Sequence, residues 1–196
     1  MKIYFHLNLD GFSNCYLVVN EVSRQALIID PCRVTTDLLE QIERGPYSLA
    51  AVLITHSHPA HLRGLSVLRK IYTPKIYAAD YEVAGSETMV LKDDGMLQIA
   101  GLRVGYLAVP GHSADSIVYK IGQALFTGDT LTAGMIGNTA SSYARHTLIN
   151  NIEVKILSQQ EDVVIMPGHG PPSSVGAEKK FNAAFAPAPD HEPQQA

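Results

Sequence analysis

The apolar positions of this chain fall into short alternating or continuous runs broken by Gly, Pro, Asn and Asp, the pattern of a strand-rich fold with a few intervening helices. Residues 2–8 alternate weakly, and residues 15–19 (CYLVV) and 26–29 (ALII) are short β-type runs, so the first thirty residues predict an antiparallel meander. Asp30 and Pro31 end it. Thr35, Thr36 and Asp37 then cap a helix running to about Arg44, with Leu38, Leu39 and Ile42 on its apolar face and Gly45 and Pro46 as its stop. A strand is predicted over 49–55, a short helix from Leu65 to Ile71, a strand over 75–79 and a helical turn within 80–87. The run MLQIAGLRVGYLAV at 96–109 predicts a hairpin turning near Ala100 and Gly101. Two further strands, 116–121 and 124–127, flank Gly122. Residues 131–143, rich in Gly, Ser and Thr, are expected to form a mobile loop, followed by a helix over 144–157, a strand over 163–166 and a helix over 176–184. The expected organisation is one domain, 1–185, and a disordered tail, 186–196 (APAPDHEPQQA). No repeat of 20 to 50 residues is visible, although both halves around Gly95 run strands, a ligand-rich loop and a helix.

Candidate chemistry collects where these strands stop. Val52, Leu53 and Ile54 lead directly into Thr55 and three histidines, His56, His58 and His61, in a segment that Pro59 and Gly64 are expected to keep from regular structure. His112 lies in PGHS after the 96–109 hairpin, Asp129 in GDT after the 124–127 strand, and His169 in PGHGP after the last strand. Neutral imidazole and carboxylate are ordinary ligands for divalent metals, and strand ends let several such groups converge. A surface loop that happens to be rich in His would not repeat this placement at four separate strand ends. His6, His146 and His191 read instead as a sheet residue, a residue on a solvated helix face and a tail residue.

Composition narrows the partners. The 196 residues are 46% hydrophobic and 17% charged, with a formal net charge of −4, which gives no electrostatic case for nucleic acid or an anionic membrane. There is no apolar run of 18 residues, and the opening MKIYFHLNLDGF is too short and polar for a leader peptide, so the expected compartment is the cytoplasm and the expected partner a small-molecule substrate. Oligomeric state is not legible. Cys15 and Cys32 form no C-x-x-C pair; Cys15 reads as a packing residue and no disulfide is expected between them.

The ordered set T-H-S-H-P-A-H, P-G-H-S, F-T-G-D-T and P-G-H-G-P resembles the metallo-β-lactamase superfamily, in particular its glyoxalase II-like (hydroxyacylglutathione hydrolase-like) branch; Asn14 to Val18 and Ile29 to Pro31 resemble that branch's early strands. The resemblance spans about Asn14 to Asn182 and implies an α+β fold, a four-layer αβ/βα sandwich, with metal held at one edge between two sheets. It implies that His56, His58 and His112 form a first metal site, that Asp129 bridges, and that His61 and His169 belong to a second. The family motif is H-x-H-x-D-H, whereas Ala60 stands at the Asp position here. Two divalent cations would then face only one carboxylate and a hydroxide, so their repulsion is poorly offset and the second position is expected to be weak or empty. Around residue 137, relatives carry a G-R-x-D-like stretch where this chain has Gly137, Asn138, Thr139 and Ala140, and no segment like the C-terminal helical domain of longer glyoxalase II enzymes is recognisable.

The function these features imply is a metal-dependent hydrolase of a thioester or related ester, using a metal-activated water, with zinc as the metal, one per chain, and iron or manganese admitted by the same ligands. Asp129, His61 and His169 are the residues expected to take part in catalysis. One alternative is a mononuclear iron oxygenase resembling persulfide dioxygenases, with His56, His112 and Asp129 as its facial triad; another is a non-catalytic metal-binding protein of the same fold.

Overall fold

A computed structural model describes residues 1–185; the tail expected at 186–196 lies outside the described residues. The meander forms as β1 (Lys2–Asn8), β2 (Ser13–Asn20) and β3 (Gln25–Ile29), antiparallel in sequence order. Thr35 caps α1 (Thr36–Arg44) by accepting from the Leu38 backbone N–H at 3.2 Å. The chain returns in β4 (Ser48–Leu53), parallel to β3, and crosses over again to β5 (Lys75–Ala78) and β6 (Thr88–Val90), each parallel to its predecessor. One six-stranded sheet results, in the order β1-β2-β3-β4-β5-β6.

The second sheet begins with the expected hairpin, β7 (Gly95–Ile99) and β8 (Leu102–Ala108), and adds β9 (Ile117–Ile121) and β10 (Ala124–Gly128). Past a small hairpin, β11 (Leu131–Thr132) and β12 (Met135–Ile136), it is completed by β13 (Val164–Pro167), parallel to β10, and β14 (Ser173–Ser174). Its order is β14-β13-β10-β9-β8-β7.

Alternation along the strands explains the layering. In β2, Tyr16 and Val18 face the other sheet, packed with Phe126, Tyr119 and Val104, while Leu17 and Val19 face outward onto Leu38 and Ile42 of α1 and onto α3 (Leu65–Ile71). Val118, Leu125 and Ile165 face outward from the second sheet onto Leu148, Ile152 and Val175, carried by α4 (Ser142–Asn151), its π-helical continuation (Ile152–Leu157) and α5 (Val175–Phe181). The architecture is therefore the expected α+β four-layer sandwich. Each fully buried aliphatic side chain in these three cores is worth about 1.5–3 kcal/mol, so strands buried on both faces, such as β2, can be long in apolar residues and still be specific in register.

Several expectations are corrected. Residues 59–62 form a short helix, α2 (Pro59–Leu62), with Pro59 in the first turn, where its missing N–H costs nothing. Residues 131–143 are not loop throughout: Leu131 pairs with Ile136 and Thr132 with Met135, and α4 has already begun by Ser142. The helix read over 144–157 loosens to π spacing after Asn151. β6 and β14 carried too few residues to leave an alternating pattern. Both cysteines are free; Cys15 is buried as expected, Cys32 is buried as well, and the Cys32 thiol lies 3.2 Å from the Asn14 carbonyl. Among the described residues no helix is long and apolar enough to cross a membrane.

Candidate metal centre

The sandwich brings six predicted residues to one edge. His56 and His58 follow β4, His61 sits in α2, His112 follows β8, Asp129 follows β10 and His169 follows β13. Two donor sets share Asp129, a first of His56/His58/His112/Asp129 and a second of His61/Asp129/His169, and a further grouping joins Asp30 to His56 and His61; within each the ligand atoms lie within 4.8 Å of one another.

In the first set, His58 Nδ1 lies 3.0 Å from His56 Nε2 and 3.2 Å from His112 Nε2, while Asp129 Oδ2 is 3.8 and 3.9 Å from those same two Nε2 atoms. Ligands on a tetrahedral ion with bonds of 2.0–2.1 Å are separated by about 3.3 Å, so this clustering fits a metal. The tautomers fit as well. Thr55 Oγ1 donates to Asp30 Oδ2 at 2.6 Å, so at 3.0 Å it can only accept from His56 Nδ1–H, which leaves Nε2 as a lone pair aimed into the site. The His112 Nδ1–H donates to the Asn138 carbonyl at 2.8 Å, with the same consequence for its Nε2. Burial, reinforced by the neighbouring His61, lowers the His56 pKa to about 4, and burial beside His112 lowers that of His58, so both are neutral donors near pH 7.

The second set starts from a sealed ring. His61 has no exposed surface, its Nδ1 is 3.0 Å from Asp30 Oδ2, and its Nε2 points at Asp129 Oδ2 from 3.5 Å without a hydrogen-bond partner. An orphaned buried nitrogen is rare and is accounted for when a metal takes it. Burial opposes a charge on this ring, but Asp30 and Asp129 outweigh it and push its pKa up to about 12. His169 Nδ1 is 2.7 Å from Asp129 Oδ1. Burial would raise the Asp129 pKa, yet the hydrogen bond from His169 and the adjacent His61 ring hold it well below the usual carboxylate range. Ala60 sits one residue before His61 and offers no donor atom; its carbonyl accepts a weak bond from Ser13 Oγ at 3.4 Å.

The ligand loops are tied to one another by backbone. Gly168 N–H donates to the Gly128 carbonyl at 2.8 Å and Asn14 N–H to the Gly168 carbonyl at 2.7 Å, while Asn14 Nδ2 donates to the Pro167 and Gly170 carbonyls at 2.9 and 2.8 Å. A Cβ on Gly168 would lie 2.6 Å from both Asp129 Oδ1 and His61 Cε1, so only glycine admits this approach. Asp115 Oδ2 accepts from the Ser57 N–H at 2.8 Å and so ties the His56 loop to the His112 loop.

Sequence reading named all six candidate ligands, which the fold brings together, but missed Asp30, Thr55, Asp115, Asn138 and Asn14 as their supports. Asp30 was the most accessible: like Asp129 it is a carboxylate ending a buried strand, and its φ of 49° marks a turn that Asp tolerates.

A cluster of imidazoles sharing one carboxylate at the edge between two mixed sheets defines a metal-binding centre of the metallo-hydrolase kind. The family model of the Metallo-beta-lactamase superfamily matches residues 9–169, and the chain belongs to that superfamily. It is 31% identical over 177 residues to an uncharacterised protein of Treponema pallidum, covering 89% of this chain and 94% of that one. It is also 31% identical over 157 residues to a hydroxyacylglutathione hydrolase of Chromohalobacter salexigens, covering 79% of this chain but only 60% of that enzyme. Among solved structures, ETHE1 from Myxococcus xanthus superposes with a TM-score of 0.81 at 25% identity, over 95% of this chain and 85% of that one.

Proposed function

We propose that this chain is a metal-dependent hydrolase of thioesters or related esters, related in chemistry to the hydroxyacylglutathione hydrolases, with one strong metal position formed by His56, His58, His112 and Asp129. The observation that carries the reading is the convergence of three ring nitrogens and Asp129 Oδ2, with the tautomers of His56 and His112 held by Thr55 and Asn138. Three nitrogens and one oxygen suit zinc, and we assign one zinc per chain. When bound, such a metal acidifies water and polarises the scissile carbonyl.

The protein's own groups supply the rest. Asp129 remains ionised and fixes the geometry shared by the two donor sets. His169, whose side chain is 35% exposed, gives its Nδ1–H to Asp129 and keeps an Nε2 lone pair able to take the proton released as water oxygen attacks the carbonyl carbon. The C–S bond then breaks, and the thiolate leaves with little need of protonation. His61, sealed behind the site against Asp30, completes a second position in which Ala60 leaves one donor missing, and it anchors Asp129 from behind.

The oxygenase alternative needs only His56, His112 and Asp129, whereas His58 Nδ1 stands at the centre of the first set, which favours the three-histidine reading. Elemental analysis of protein purified without added metal, together with a panel of thioesters, tests the proposal: about one zinc per chain and thioester turnover are expected. His58→Ala should remove both, while retained iron and oxygen uptake in that variant would sink the hydrolase reading in favour of the triad.

A further inference from the structure

Beside the ligands His112, Asp129 and His169 opens a cleft of about 420 Å³, and the rest of its lining comes from one segment: Thr132, Met135, Ile136, Gly137 and Asn138. None of these side chains carries a charge. Thr132 and Met135 are paired directly across the β11–β12 hairpin, so they share a face, and that face is open to the cleft; Met135 is 65% exposed. Leu131, on the opposite face, is buried beside Leu148 in the outer core.

The segment is held rigidly at both ends. Thr127 Oγ1 donates to the Leu131 carbonyl at 2.7 Å and Gly137 N–H to the Thr130 carbonyl at 3.1 Å. At the tip, Gly134 N–H donates to both carboxylate oxygens of Glu178, 3.2 and 3.0 Å away; Glu178 is buried in α5 and also receives Asn182 Nδ2 at 2.7 Å and the Ser173 hydroxyl. A carboxylate buried in this way, with its partners supplied, fixes an exposed hairpin that has little core of its own. Through the Asn138 carbonyl the same segment orients His112, so its distance from the reacting centre is set by the fold.

We infer that β11–β12 receives an uncharged, apolar arm of the substrate, and that Met135 determines this specificity. The inference rests on the thioester reading and names its substrate class: thioesters whose thiol and acyl portions carry no carboxylate, in preference to glutathione conjugates. An anionic arm laid on Met135 would lose hydration with no Lys or Arg in the cleft lining to replace it. An aliphatic arm gains from every methylene it buries there.

The test uses zinc-loaded, full-length protein and two non-hydrolysable thioethers, S-hexyl-N-acetylcysteamine and S-hexylglutathione, titrated by calorimetry, with kcat/KM measured for the matching thioesters. The neutral thioether is expected to bind about tenfold or more tightly, and binding should strengthen about two- to fourfold per methylene between butyl and hexyl. Met135→Lys should narrow or reverse the preference, and Met135→Ser should flatten the chain-length dependence, with metal content and circular dichroism unchanged in both. Equal or tighter binding of the glutathione thioether, or no binding of either, overturns the inference. Hydrolysis of neither thioester with the thioether ranking intact overturns the thioester reading alone and leaves the hairpin's preference standing.

Discussion

The two donor sets that share Asp129 are built on different principles. His56, His58 and His112 come from three positions on two loops, meet at 3.0 and 3.2 Å, and form a complete quartet with Asp129. His61 and His169 reach the same carboxylate from its other side, but their set ends at three members, and the ring of His61 is committed on its far side to Asp30. A quartet of three neutral rings and one carboxylate satisfies one divalent ion. A trio that borrows its only carboxylate from the neighbour leaves a second ion short of anionic donors, and Asp30 offsets this only through the ring it supports. The contrast lies in completeness: the first set gathers four donors and the second three, with one carboxylate between them.

The largest expected effect comes from what the two sets share. Asp129→Ala should remove the bound zinc and lower kcat/KM by more than the roughly 100-fold that loss of an outer hydrogen-bonding partner costs, and His112→Ala should also deplete the first set. Metal content and turnover should fall together, and a wild-type metal content in either variant would remove the residue from the ligand set.

Asp30→Asn comes next. Asn keeps the positive φ but can present an N–H to His61 Nδ1, which moves that ring's proton to Nε2 and blocks it as a donor, and it also weakens the anchor of Thr55. A loss of about 10- to 100-fold in metal affinity or activity is expected, read by competition with a chromophoric chelator. No change would mean that Asp30 only packs.

Thr55→Val separates the sets. It deletes the acceptor for His56 Nδ1–H but leaves the Asp30 contact to His61 in place, so a loss near the lower, tenfold end is expected and should fall on the first position. Unchanged zinc affinity in this variant would show that His56 needs no acceptor at Thr55 to hold its tautomer.

The smallest change is in occupancy. Ala60→Asp adds a carboxylate next to His61 without altering α2, whose helix tolerates the exchange, and should raise the metal content from near one towards two per chain when zinc or manganese is supplied. Two metals already present in the unmodified protein would show that another group completes the second set.

Much of this was legible in the chain. The β1–β2–β3 meander, α1 with its Thr35 cap and the 96–109 hairpin follow from local periodicity and turn residues, which act over neighbours and need no knowledge of the fold. The six ligands were legible because each sits in a short motif at a strand end, where a break in hydrophobic pattern coincides with a metal-binding side chain. The hairpin within 131–138 was not foreseen because Thr132, Gly134 and Gly137 break any periodicity: a hairpin of two-residue strands is held by Glu178 reaching Gly134 from forty-four positions away, and that pairing leaves no local trace.

The sequence by itself therefore determined the layers and the donor types, since apolar alternation dictates which faces must be buried and the motifs dictate which atoms can bind a metal. Only the tertiary structure decided how those donors are grouped, which nitrogen of His56, His61 and His112 is free, and what lines the cleft beside them. The physical reason is range. Tautomers are set by Asp30, Thr55 and Asn138, and the cleft by Glu178, through hydrogen bonds of 2.6–3.2 Å between atoms that, except at His56, come from residues distant in the chain.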